Sequence, residues 1–197
     1  MALKIADVSH WQGSISWSNT GLDAVIIKCG GGDAGLYTDP MFAQNKAGAR
    51  RSNILCGFYY FAGHGDPTAE ADYFLKIINN DIQQGELLAL DAETGQSPLW
   101  CKTFLDRVSS QVGFKPLIYC PSNNGWDWSP VVKGDYGLWY ARYHWLYSVT
   151  KNPPIKCWPF YAIYQYSSTG KVPGIAGNVD MDYTKMDLST LKKYGKK

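Results

Sequence analysis

Eight short runs of β-branched, aromatic and leucine residues recur along the chain, at residues 4–8, 24–29, 54–61, 87–90, 116–120, 137–141, 161–166 and 179–181. Gly, Pro, Asn or Asp bound most of them, as they bound strands. Several are apolar without alternation, the pattern of strands covered on both faces. Helical patterns fill some of the gaps. Asp39 followed by Pro40 marks the start of a helix over 40–51. Residues 68–79 put Ala71, Phe74, Leu75 and Ile78 on one face, and 98–112 do the same with Phe104, Leu105 and Val108. After residue 120 the helical signals shorten, and "NNGWDWSPVVKGD" and "HWLYSVTKNPPIKCWP" read as loops. Alternating strand and helix over 197 residues predicts one α/β domain with mainly parallel pairing. Eight strands predict a closed, irregular (β/α) barrel with a reduced set of helices. The rival is an open doubly wound sheet, which wants a phosphate-binding glycine turn after its first strand. Here "CGGGDAG" follows the second strand and lacks the required spacing, so Gly30–Gly32 read as a flexible turn. The barrel is expected over residues 1–190, with 191–197 as a basic, solvated tail carrying Lys192, Lys193, Lys196 and Lys197.

Composition narrows the function. A net charge of +2, with no stripe of Lys or Arg, argues against nucleic acid as a partner. The 8 Trp, 14 Tyr and 7 Phe exceed what a core needs, since buried Trp and Tyr want hydrogen-bond partners. Flat aromatic faces in a cleft suit sugar rings. Cys29, Cys56, Cys101, Cys120 and Cys157 form no C-x-x-C pair and read as reduced thiols, most of them buried, so no metal or other cofactor is expected. No apolar stretch reaches the length of a membrane span. "MALKIADVSHWQG" enters a strand pattern directly, without the regions of a signal peptide.

The acids are better placed than the aromatics. Asp91 and Glu93 end the buried run of "ELLALDAETG". Asp7 ends the first run, and Asp180 and Asp182 lie in the last, "GNVDMDYT". In a (β/α) barrel the strand ends build the active site. Residues i and i+2 of a strand share a face roughly 6–7 Å apart, so Asp91 and Glu93 point the same way. Two carboxyls that close cannot both ionise freely, and one pKa should rise. A protonated acid beside a charged one is what cleavage of a glycosidic bond through an oxocarbenium-like state requires. Capping of the next helix is the bland alternative for the pair. Ser97 followed by Pro98 already supplies that cap.

Several segments, in order, resemble the family 25 glycoside hydrolases, the Chalaropsis-type muramidases. They are "DVSHWQG" (7–13), "GFYYFAG" (57–63) with "AEADYFL" (69–75), "LDAE" (90–93), "KPLIYC" (115–120), "LWYARY" (138–143) and "YQYSSTGKVPGIAGNVDMD" (164–182). The resemblance implies an eight-stranded irregular barrel that cleaves the β-1,4 bond between N-acetylmuramic acid and N-acetylglucosamine in peptidoglycan. It implies Glu93 as general acid, Asp91 as its charged or substrate-orienting partner, and Asp7 and Asp180 as the rest of an acidic floor. Tyr60, Tyr119, Trp139 and Gln165 fall at its substrate-contacting strand ends, Trp139 equally well as core, and Asp182 is expected to join them in contacting substrate. Three positions depart from the family pattern. Tyr60 stands where many relatives carry His, Tyr164 replaces a Trp, and Asp182 replaces an Asn beside Asp180.

Two retaining routes stay open: direct attack by a carboxylate, or attack by the substrate's own acetamido oxygen with Asp91 steadying the cation. An inactive wall-binding module would need no acids. A family 18 chitinase would carry D-x-x-D-x-D-x-E, which Gln84, Glu86 and Ala89 do not supply. A wall-cutting enzyme without a signal peptide fits a phage endolysin, a monomer made in the host cytoplasm and acting on peptidoglycan strands after release.

Overall fold

The computed structural model describes residues 3–32, 35–121, 126–143 and 154–197. Parts of the two stretches read as loops, 123–125 and 144–153, lie outside them, as do 33–34 of the glycine-rich segment.

Eight strands close into a barrel in chain order: β1 (Ile5–Val8), β2 (Ala24–Gly31), β3 (Leu55–Phe61), β4 (Leu87–Asp91), β5 (Leu117–Pro121), β6 (Leu138–Ala141), β7 (Ile163–Gly170) and β8 (Val179–Tyr183). The pairs from β1–β2 to β6–β7 are parallel, while β8 is antiparallel to both β7 and β1. That reversal follows from chain length. A parallel crossover takes about a dozen residues or more, and the 171–178 connection is shorter, so the chain returns as a hairpin.

Around the barrel lie α1 (Phe42–Arg51), α2 (Pro67–Ile78), α3 (Pro98–Val112) and the short α4 (Ser129–Lys133) and α5 (Leu188–Leu191). Local chemistry sets their ends. Asp66 accepts from the Ala69 N–H at 2.8 Å, Pro67 opens α2, and Asn79 leaves it in the left-handed conformation. Ser97 caps α3 through the Trp100 N–H at 3.2 Å, and Gly113 at φ 79° ends it. The helix expected from Pro40 begins two residues later. Asp39 Oδ1 accepts from the Met41 N–H at 2.9 Å, which folds Pro40 and Met41 into a turn ahead of the helix. α4 falls within a stretch read as loop, because five residues are too few to show a helical period.

Alternation along the strands sorts two apolar layers. Ile5, Ala24, Ile26, Leu55, Leu87, Ala89, Leu117 and Ile163 fill the barrel. Val25, Ile27, Phe58, Leu88, Leu90 and Ile118 turn outward under the helices. Tyr60 belongs to the outer layer. Its ring stacks on Phe104 of α3 at 5.6 Å and packs against Phe74 of α2 at 5.7 Å. The expectation that Tyr60 contacts substrate is thereby corrected, since its neighbour Tyr59 is the tyrosine that turns inward.

Two further expectations change. Gly30 and Gly31 are strand residues rather than a flexible turn. Gly31 donates to the Tyr37 carbonyl at 2.8 Å, and a Cβ there would meet the Phe61 carbonyl oxygen at 1.9 Å. The lysines of the 191–197 segment are exposed, as expected of a basic tail, but its backbone is tied down. Leu191 is buried, the Lys196 N–H donates to the Glu86 carbonyl at 3.0 Å, and its carbonyl accepts from Gly85 at 2.7 Å.

Candidate active site

The carboxyl ends of β1–β7 share one opening, and the reversed β8 brings its first residues to the same end. Asp7 and Asp180 are direct cross-strand partners, and Asp182 pairs with Ile5 on one side and Gln165 on the other. A cleft of about 270 Å³ results, lined by Asp7, Asp91, Glu93, Asp180, Lys28 and Tyr59 among others. Asp7 and Asp91 are buried, Asp180 half-buried, and Glu93 exposed at the mouth.

Gln165 organises the floor. Its side-chain N–H donates to Asp7 Oδ2 at 2.6 Å, and its Oε1 accepts from the Tyr119 hydroxyl at 2.9 Å and from the Tyr143 hydroxyl. Trp139 gives its indole N–H to Asp182 Oδ1 at 2.7 Å and wedges edge-on against Tyr119 at 4.8 Å and Tyr59 at 5.9 Å. Tyr119, Trp139 and Gln165 therefore line the cleft as one bonded layer, with Trp139 1% exposed. Asp182 lies beneath them, 2% exposed, and does not line the cleft.

Burial governs the charges. Desolvation pushes the Asp91 carboxyl well up, and the nearby Glu93 and Asp180 charges add to it while Lys28 opposes. Asp91 Oδ1 is sealed and receives no hydrogen bond among the described residues, which favours the neutral form. The deep member of the D-x-E pair is therefore raised. Asp7 is also pushed well up, by burial first and then by the Asp182 and Asp180 charges. Asp182 is raised to about 7 by burial, against the pull of its bonds to Trp139 and Asp7. Its Oδ2, without a fixed N–H or O–H donor among the described residues, is satisfied when one proton is held between it and Asp7.

This proton has a stability consequence. Unfolded, Asp182 ionises near 3.8, and in the fold near 7. Between those values the unfolded chain binds fewer protons at this group, so the Asp182 contribution to stability is fullest below about pH 4 and is lost as pH rises toward 7. An Asn keeps the acceptor for Trp139, donates to Asp7 and has no proton to lose. Each pKa unit is about 1.4 kcal/mol, and the buried amide offsets part of the gain, so Asp182→Asn is expected to be about 2 kcal/mol more stable at pH 7.5. Urea midpoints at pH 4.5 and 7.5 check it: the gain should shrink at the lower pH, and an equal gain at both would rule out a titrating Asp182.

Residues that the sequence reading missed complete the site. Lys28 is a lone cation in the apolar run "VIIKCG"; its ammonium lies 4.5 Å from the Phe61 ring centre, among the acids. That lone charge in a buried strand was the available signal. Gln96 holds the turn that carries Glu93, donating to the Ala62 and Gly63 carbonyls at 3.1 and 2.7 Å and accepting from the Thr94 N–H at 3.3 Å. Ser9, Trp11 and Gln12 form one rim and Tyr143 another part.

Comparison with known proteins agrees with this fold. The profile of the glycosyl hydrolases family 25 matches residues 6–175. The chain is 29% identical over 200 residues to Lysozyme M1 of Streptomyces globisporus, covering 88% of this chain and 65% of that protein. It thus spans just under two thirds of that relative's length. A crystal structure of the bacterial lysozyme from Streptomyces coelicolor superposes with a TM-score of 0.79 at 26% identity, covering 99% of this chain and 97% of that one. The catalytic domain of endolysin ply40 from bacteriophage P40 of Listeria monocytogenes gives 0.75 at 26% identity, covering 98% of each. With the barrel, the acid cleft and a profile match over most of its length, the chain belongs to the glycosyl hydrolases family 25.

Proposed function

We propose that this chain is a muramidase, hydrolysing the β-1,4 bond between N-acetylmuramic acid and N-acetylglucosamine in bacterial peptidoglycan. The observation that carries the reading is the convergence of Asp7, Asp91, Glu93 and Asp180 on one cleft with Glu93 exposed at its mouth. A glycan strand is too long to enter a cleft of about 270 Å³ and must lie across the mouth. The proton donor has to reach the glycosidic oxygen there, which suits Glu93 and not the buried Asp91. Asp91, two residues earlier, sits beneath the sugar whose bond breaks, on the side of its acetamido group. An acetamido N–H donated to Asp91 favours the ionised carboxylate.

The acetamido oxygen then attacks the anomeric carbon as the bond to the leaving oxygen breaks, and that oxygen takes the proton of Glu93. Asp91 steadies the cyclic cation. Glu93, now a carboxylate, takes a proton from the water that opens it, and the configuration is retained. Asp7, Gln165 and Tyr119 hold the floor, and Lys28 limits the repulsion among the acids. Likeness to a lysozyme and to a phage endolysin domain supports a lytic role on the bacterial wall.

The test is to digest purified peptidoglycan, reduce the products with borohydride and identify the new reducing ends by mass spectrometry. Muramitol ends are expected. Glucosaminitol ends would mean the other β-1,4 bond is cut, and no new ends would remove the enzymatic reading.

A further inference from the structure

The mouth of the cleft carries one aromatic side chain whose exposure nothing above explains. Trp11 is 81% exposed, more than any other large hydrophobic side chain in the described residues. Its backbone is nonetheless tightly fixed. It lies in the three-residue turn His10–Gln12, where Ser9 Oγ accepts from the Trp11 N–H at 3.3 Å and Gln12 Oε1 accepts from the Ser9 N–H at 2.8 Å. Gln12 also donates to the Asn178 carbonyl at 3.3 Å, which ties the turn to the approach to β8. On the other side, the buried Asp39 holds His10 twice through Oδ2, from the backbone N–H at 3.1 Å and from ring Nδ1 at 2.8 Å. The His10 ring in turn rests against the Trp11 indole, centre to centre at 4.6 Å. A side chain that simply lacked a place in the core would need none of this bracing.

The indole lines the same cleft as Glu93, on the wall built by β1, three strands from β4 in the ring. The cleft's volume of about 270 Å³ is below the roughly 300–1,000 Å³ of sites that enclose a drug-sized ligand, so sugars beyond the one at the floor must rest on the rim. A flat aromatic face in water is the surface against which the C–H face of a pyranose ring packs, and covering it removes apolar area from both partners.

We infer that Trp11 is the platform of an outer subsite, stacking an N-acetylated pyranose ring of the glycan strand at least one residue away from the bond that Glu93 cleaves. This rests on the muramidase reading and adds to it a residue that selects for chain length. His10 and Asp39 are positioning residues for the platform.

The experiment compares wild type with Trp11→Ala and Trp11→Phe on peptide-free peptidoglycan oligosaccharides of two, four and six sugars and on whole sacculi. Trp11→Ala is expected to raise KM about tenfold on hexasaccharide and sacculi, the loss of roughly 1.4 kcal/mol of binding, with kcat changed less than twofold. Trp11→Phe should recover most of that, and the disaccharide, which cannot span to the rim, should show no difference. Equal KM for wild type and Trp11→Ala on all lengths overturns the inference, as does an equal loss on disaccharide and hexasaccharide, which would place Trp11 at the reacting sugar. In either case wild-type muramitol ends still stand as the separate check on the muramidase reading. Because the side chain is exposed, the urea midpoint of Trp11→Ala should match that of wild type.

Discussion

Glu93→Gln is expected to lower kcat on peptidoglycan by about a hundredfold or more, the range for loss of a positioned general acid, with KM and folding little changed. The side chain is exposed, so Gln leaves no cavity and seals no charge. Its turn is held by Gln96, which donates to the Ala62 and Gly63 carbonyls. The acid role makes a sharper claim than a loss of rate. An oligosaccharide with a nitrophenolate leaving group needs no proton on departure, so Glu93→Gln should cut it at a rate within a few fold of wild type in the first step. Asp91→Asn should be slow on both substrates, because the carboxylate that steadies the cyclic cation is absent either way. If Glu93→Gln is equally slow on both, Glu93 is not the proton donor and acts on the anomeric carbon itself.

Much of this site was legible before the fold was known, for a reason tied to strand geometry. A barrel gathers its strand ends, so acids ending the first and fourth runs had to meet, and i, i+2 spacing put Asp91 and Glu93 on one face. The inward and outward sides of β3 were not legible in the same way. "GFYYF" has aromatics at every position after Gly57, and a strand covered on both faces carries no alternation to read. Register alone decides that Tyr59 faces the cleft and Tyr60 the helices. The reversal of β8 was legible in principle from the short 171–178 connection, and it explains how an acid near the start of a strand joins acids at the ends of others. Lys28 and Trp11 are of another kind. A lone charge in a buried strand marked Lys28 and nothing marked Trp11, but for both only the closing of the ring shows which opening the residue faces.

Phe104→Ala tests the outer layer on which that placement of Tyr60 depends, and it is expected to cost about 3–5 kcal/mol, the range for removing a buried Phe. Phe104 is fully buried, with Tyr60 at 5.6 Å, Phe74 at 5.9 Å and Trp100 at 5.9 Å around it. A domain stable by roughly 5–15 kcal/mol would lose a large share of that, read as a lower urea midpoint at unchanged slope. The cavity it opens lies between α2, α3 and β3, away from the cleft, so kcat of the remaining folded protein should hold at low temperature. Tyr60→Ala should behave in the same way, with a smaller loss of stability than activity loss would require of a groove residue, and Tyr60→Phe should change neither quantity. If Tyr60→Phe lowered kcat/KM about tenfold at an unchanged midpoint, its hydroxyl would have to reach the substrate. That would demand a one-residue shift of β3, which would turn Tyr59 out of the cleft and take its contact with Trp139 away from the floor.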